Sequence, residues 1–218
     1  MLYKVVLGNI FKYFSFNDII QSKRVSKKVK EIITTKFICS KFVIRFKSTE
    51  NIIDKIALFP GCGVDLSYTE VSDVSMLRGV KYLKLNSTNV SDVSMLGGVH
   101  TLNLNYTKVT DVSKLTNVHL LYLNNTKVSD VSMLGGVYLL YLVYTNVTDV
   151  SNLTNVHTLN LNNTNVTDVS NLTNVHTLYL NETDVSDVSN LTKVHTLYLD
   201  KTRVFDVSKL GGVNIIYL

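Results

Sequence analysis

VSDVSMLGGVHTLNLNYTK from Val90, VTDVSKLTNVHLLYLNNTK from Val109 and VSDVSMLGGVYLLYLVYTN from Val128 are three copies of one 19-residue unit. The opening valine recurs at Val71, Val147, Val166, Val185 and Val204, giving seven complete copies and an eighth cut short at Leu218. A degenerate copy, GVDLSYTEV, occupies 63–71. Self-similarity at a fixed period near 20 residues signals a solenoid, in which each coil buries its apolar side chains against its neighbours.

Every copy contains V-x-x-L-x-L-x-x-T-x-V, as in Val99, Leu102, Leu104, Thr107 and Val109. The x-L-x-L-x stretch is a strand, and its period of two puts both leucines on one inward face. Parallel strands stacked about 4.8 Å apart over these coils make a sheet about 40 Å long. The pattern resembles the leucine-rich repeat, with threonine where asparagine is usual. The following x-D-V-S-x-L resembles the internalin- and SDS22-like branch of that family. The resemblance covers about 64–218. It implies an α/β repeat solenoid with a parallel concave sheet. Nineteen residues lie at or below the usual lower limit for a coil, so the convex side is expected to hold short extended or 3₁₀ turns and no α-helices.

Three columns repeat with the coil. Thr69, Thr88, Thr107, Thr126, Thr145, Thr164, Thr183 and Thr202 form the first. A hydroxyl can donate once and accept twice, so a buried threonine ladder is expected to satisfy turn backbone groups from coil to coil. The second is the aspartate of D-V-S: Asp73, Asp92, Asp111, Asp130, Asp149, Asp168, Asp187 and Asp206. Asp-x-Ser suits an Asx turn, the carboxylate accepting backbone N–H bonds, and the glycine-rich spacing of a calcium repeat is absent. The third holds all five histidines, His100, His119, His157, His176 and His195. It is expected to be a solvated rim, because coils about 4.8 Å apart do not converge imidazoles on one metal ion. The Asn-x-Thr sequons are by-products of the repeat.

The outward strand positions line the concave face. Tyr82, Leu120, Tyr122, Leu139, Tyr141, Tyr179 and Tyr198 stand there, followed by Asn86, Asn105, Asn124, Val143, Asn162, Asn181 and Asp200, with Tyr106 and Tyr144 beyond. Core packing does not require aromatics in these columns. Tyrosine offers large contact area at low entropy cost and asparagine offers adaptable hydrogen bonds. Leu120, Tyr122, Leu139, Tyr141, Val143 and Tyr144 fall in two adjacent copies and form an apolar patch among polar neighbours. Three readings compete: a protein-binding hot spot, cross-strand stacking that only stabilises the sheet, and a self-association face.

Residues 2–33, LYKVVLGNIFKYFSFNDIIQSKRVSKKVKEII, have apolar side chains at helical spacing and a turn at Ser15–Asp18. They resemble the F-box, a helical module that carries substrate receptors to cullin-type ubiquitin ligases through a Skp-type adaptor. The matching residues are Leu2, Val6, Ile10, Phe11, Tyr13, Phe14, Asp18, Ile19, Val25, Ser26 and Lys27, with Tyr3 where proline is usual and Val29 where tryptophan is usual. The resemblance implies adaptor contact through Leu2, Val6, Ile10, Phe11, Phe14, Ile19 and Val25. The bare alternative is that these helices cap the solenoid, and Lys23, Arg24, Lys27, Lys28 and Lys30 admit a weaker reading as a nucleic-acid contact. In this scheme 1–40 is the F-box-like helical segment, 41–62 the solenoid's N-terminal cap and 63–218 the repeat array. Within the cap, KFVIRF reads as a strand and NIIDKIALF as a helix.

Charge divides the chain the same way. Residues 1–60 hold 12 Lys/Arg against 4 Asp/Glu, and 61–218 hold 10 against 13. Cys39 and Cys62 are too few for a disulfide scaffold or a four-ligand zinc site. Neither a signal peptide nor an apolar run of about 18 residues is found, so an intracellular, cytoplasmic or nuclear protein with no membrane span is expected. No phosphate loop, paired catalytic carboxylates or Cys/His dyad appears. The expected role is therefore non-enzymatic and cofactor-free: a substrate receptor with a protein target on its concave face, or a scaffold without a ubiquitin link. The near identity of the copies points to recent tandem duplication, a habit of large eukaryotic DNA viruses and amoebae. The final strand, Asn214–Leu218, has no evident cap, so it is expected either to fray or to pair end to end with a second copy through Ile215, Ile216 and Leu218.

Overall fold

The computed structural model describes residues 43–47, 52 and 63–216. The F-box-like segment, including Leu2, Val6, Ile10, Phe11, Phe14, Ile19 and Val25, lies outside the described residues, as do Tyr217 and Leu218.

Ten strands of three residues each form one sheet in chain order. They are β1 (Val43–Arg45), β2 (Gly63–Asp65), β3 (Tyr82–Lys84), β4 (Thr101–Asn103), β5 (Leu120–Tyr122), β6 (Leu139–Tyr141), β7 (Thr158–Asn160), β8 (Thr177–Tyr179), β9 (Thr196–Tyr198) and β10 (Asn214–Ile216). Every pairing is parallel. From β2 to β9 the register follows the repeat, so that Leu121 sits beside Leu102 and Leu140, and at β10 it slips by one residue, placing Ile215 beside Leu197. The sheet begins one strand before the recognisable repeats: β1 pairs with β2, and Phe46 just after it is buried.

Each complete coil buries the same six apolar positions. In the coil from Val109 they are Val109, Val112, Leu115, Val118, Leu121 and Leu123, none more than 2% exposed. Each such side chain, once buried, contributes roughly 1.5–3 kcal/mol, but only with a coil on either side to exclude water. Six apolar residues in nineteen leave no room for a helix. The convex side is accordingly a single turn: a 3₁₀ helix at Ser75–Leu77, Ser94–Leu96 and Ser132–Leu134, where the sequence reads S-M-L, and a hydrogen-bonded turn elsewhere, as in Leu115 N–H donating to the Val112 carbonyl at 2.9 Å.

The aspartate column forms Asx turns, each Oδ1 accepting the amide of the serine two residues on at 2.8–2.9 Å. The threonine column differs from expectation. Each buried hydroxyl donates within its own coil, as Thr126 Oγ1 does to the Leu123 carbonyl at 2.7 Å, and does not bridge to the next. The reason is reach: the hydroxyl closes the turn on the carbonyl three residues back, that of the buried leucine just after the strand. That turn also carries a left-handed residue in every coil, at Tyr68, Ser87, Tyr106, Asn125, Tyr144, Asn163, Glu182 and Lys201, with φ between 52° and 62°.

Candidate functional site: the concave face

Strand alternation places one leucine of each strand in the core and its two flanking residues on the open face. Leu120, Tyr122, Leu139 and Tyr141 are half-buried there, with Leu120 beside Leu139 and Tyr122 beside Tyr141. Val143 lies two residues past β6, also half-buried. The structure thus brings these five together. Tyr106 and Tyr144 are set apart: they occupy the left-handed turn beyond the strand and are 60% and 57% exposed. Tyr82 is exposed on β3 at one end of the face.

The tyrosines touch one another along the sheet. Tyr122 and Tyr141 meet edge to face with ring centroids 5.3 Å apart, Tyr141 reaches Tyr179 at 6.5 Å across the coil that carries Asn160, and Tyr179 stacks on Tyr198 at 4.3 Å. Burial, then the neighbouring phenols, push Tyr141 and Tyr179 above the ordinary tyrosine value. These tyrosines are uncharged at neutral pH, and Lys84 is the one charged side chain among the outward residues of β3 to β9.

The asparagine column, expected to offer adaptable hydrogen bonds to a partner, is committed to the scaffold. Asn105 Oδ1 accepts the Asn124 amide, Asn124 Oδ1 the Val143 amide, Asn162 Oδ1 the Asn181 amide and Asn181 Oδ1 the Asp200 amide, all at 2.8–2.9 Å. The ladder runs from coil to coil where tyrosine holds the second outward position of the strand. Where asparagine stands there, the amide two residues on turns to it within its own coil, Asn105 to Asn103 and Asn162 to Asn160, both at 3.0 Å, whether Asn86 or Val143 stands in the coil before. The adjoining backbone bond, from Tyr144 N–H to the Asn162 carbonyl, lengthens to 3.3 Å, against 2.8–3.0 Å at the same position in the other coils. The signal for the change of partner was in the sequence, Asn103 and Asn160 where other strands carry tyrosine, but its effect is visible only once the amide partners are placed.

Away from this face, the carboxyls of the aspartate column are held below the ordinary value mainly by the serine amide they accept, with the serine hydroxyl next (for Asp130 the hydroxyl leads). Among the described residues no group of three His, Cys, Asp or Glu is placed to hold a metal ion. No described helix is long and apolar enough to cross a membrane.

Solved structures with the same architecture are leucine-rich-repeat proteins. An internalin (inlF) from Listeria monocytogenes matches with a TM-score of 0.61 at 21% identity, over 74% of this chain and 55% of that one. Internalin C2 from the same organism matches at 0.61 and 22%, over 76% and 84%. A Leptospira interrogans leucine-rich-repeat protein matches at 0.59 and 14%, over 80% and 58%. The chain thus spans about half the length of the first of these. No family model and no curated protein matches the sequence. Similarity at this level establishes the fold and nothing of the partners: the chain is a parallel-strand solenoid of the leucine-rich-repeat type.

Proposed function

We propose that the chain is a non-enzymatic protein-interaction module whose target docks on the concave face, anchored at Leu120, Tyr122, Leu139, Tyr141 and Val143. The observation that carries this reading is Val143, half-buried where asparagine or aspartate stands in the neighbouring coils, and placed in the same pair of coils as Leu120, Tyr122, Leu139 and Tyr141. Central apolar anchors with a polar surround are the usual anatomy of a binding hot spot.

The finer reading is a substrate receptor for a cullin-type ubiquitin ligase, with Leu2, Val6, Ile10, Phe11, Phe14, Ile19 and Val25 meeting a Skp-type adaptor. It rests on the resemblance of the N-terminal segment alone. The second reading, a scaffold whose N-terminal helices only cap the array, shares the concave face but not the adaptor; self-association through that face or through the last strand is a further alternative.

Two measurements separate these. Purified full-length chain and a Skp-type adaptor are run together by gel filtration at micromolar concentration. Co-elution that is lost in the Ile10→Asp/Phe11→Asp variant supports the receptor, and separate elution of the wild type removes it. For the face, a partner retained by the wild type is challenged with Tyr141→Ala, expected to weaken binding by roughly 2 kcal/mol at nearly constant melting temperature. Unchanged binding with a large loss of stability would assign the tyrosines to stacking.

A further inference from the structure

One residue per coil, immediately before each strand from β3 to β9, forms a second row along the edge of the concave face: Lys81, His100, His119, Tyr138, His157, His176 and His195. From His100 to His195 each ring rests on the next, with centroids 4.9, 4.8, 4.5, 4.6 and 4.6 Å apart, and Tyr82 joins at 5.8 Å. The last three imidazoles, His157, His176 and His195, are nearly parallel, with interplanar angles of 9°. The stack is anchored to the binding face. Nδ1 of His100, His157, His176 and His195 lies 3.0–3.2 Å from the hydroxyl of the following threonine, whose side chain belongs to the first concave column.

We propose that this row binds protons anticooperatively, so that protonating one imidazole opposes protonation of the next, and that it acts as a pH-sensitive element which charges and loosens this edge of the concave face below neutral pH. Neutral imidazoles stack without penalty, whereas two imidazolium rings at these separations repel. Nothing in the row offsets that repulsion. The charges acting on His176 are those of His157 on one side and His195 on the other, with no carboxylate among them. Lys193, two residues before His195, and Lys81 at the far end are the other cations along this stretch. The carboxylates of the convex turns do not reach it: Asp168 interacts with Asp149 and Asp187, and Asp187 with Lys209 and Asp206. Tyr138 divides the row into a pair and a triplet, which makes His176 the one histidine with an imidazole on both faces.

Desolvation of the ring first, and the two flanking imidazoles next, hold the exposed His176 below the ordinary histidine value of 6.5. The unfolded chain therefore takes up a proton at this position before the folded chain does. The stabilising contribution of neutral His176 is present above that ordinary value and declines as pH falls through and below it. Protonation also turns Nδ1 into an obligatory donor, so the Thr177 hydroxyl must accept from it and lend its own proton elsewhere.

The test is a titration of the full chain from about pH 8 to about pH 5, following the histidine ring protons by NMR and the melting temperature in parallel. His176 is expected to be the last of the triplet to protonate. In the His157→Gln/His195→Gln variant its midpoint moves up, and the acid-induced fall in melting temperature becomes shallower. A His176 midpoint that is the same in both proteins overturns the proposal. So does a His176→Gln variant whose melting temperature falls on acidification as steeply as the wild type's, a reading that does not depend on the double variant folding well.

Discussion

Leu139 and Leu140 are adjacent in the chain and face opposite ways, and their columns obey different rules. Leu140 belongs to a column that is leucine in every coil from Leu83 to Leu197 and is at most 1% exposed throughout. Leu139 belongs to one that reads Tyr, Thr, Leu, Leu, Thr, Thr, Thr over the same span. The inner column is fixed because each side chain must fill the space left by its neighbours above and below, and close-packed interiors tolerate little change in volume. The outer column is released from that demand, so what stands there can answer to a partner. The lesson is that in a repeat this regular, departures from the consensus on the open face carry more functional information than the consensus does.

The largest effect expected from breaking this contrast is in the core. Leu140→Ala should cost about 2–5 kcal/mol, because the cavity opens against coils on both sides. Leu139→Thr, which installs the residue of four sister coils, should leave stability nearly unchanged. Chemical denaturation of the two variants measures the difference, and equal losses would erase the distinction between the faces.

A smaller effect is expected on the convex side, where two turn variants meet. Gly97 and Gly135 each end a 3₁₀ turn whose next coil carries the other turn, and a Cβ at either would collide with a backbone carbonyl, of Lys114 and Asn152 respectively. Where a 3₁₀ turn is followed by another, Arg78 fits instead. Gly97→Ala should therefore destabilise by about 1–3 kcal/mol, the usual range for overpacking, while Gly79→Ala, with no atom within 4 Å of its added Cβ, should not. Matching melting temperatures for the two would show that the turn yields freely.

The smallest expected effect sharpens the functional side. Val143→Asn should change stability by no more than about 0.5 kcal/mol, because the Asn162 amide is already held by Asn160, as the Asn105 amide is by Asn103 with Asn86 in the coil before. On the reading above it should weaken target binding by removing an apolar anchor. A large stability loss with unchanged binding would mean that Val143 is held by packing alone.

The repeat period, the inward leucines, the Asx turns and the absence of convex helices in the array were legible from the residues, because each is a local consequence of spacing: period two for strands, and nineteen residues with six apolar positions for a coil. Hydrogen-bond direction was not. Whether a threonine hydroxyl closes its own turn or bridges to the next coil, and whether an asparagine on the open face is free or already committed, depends on which backbone groups the stacking leaves unpaired. The same limit explains Tyr138. Read singly it is a substitution in the histidine column; only the stacking of coils shows that its ring continues the row between His119 and His157 at 4.8 and 4.5 Å.

The sequence by itself determined that this chain is a solenoid, which positions it buries, and where its open face departs from uniformity, since these follow from periodicity and the hydrophobic effect. The tertiary structure alone decided which face residues are already spent on the scaffold and which remain available. Neighbouring coils are joined by contacts between residues nineteen apart, and the partner of each polar atom is fixed only when one coil is laid upon the next.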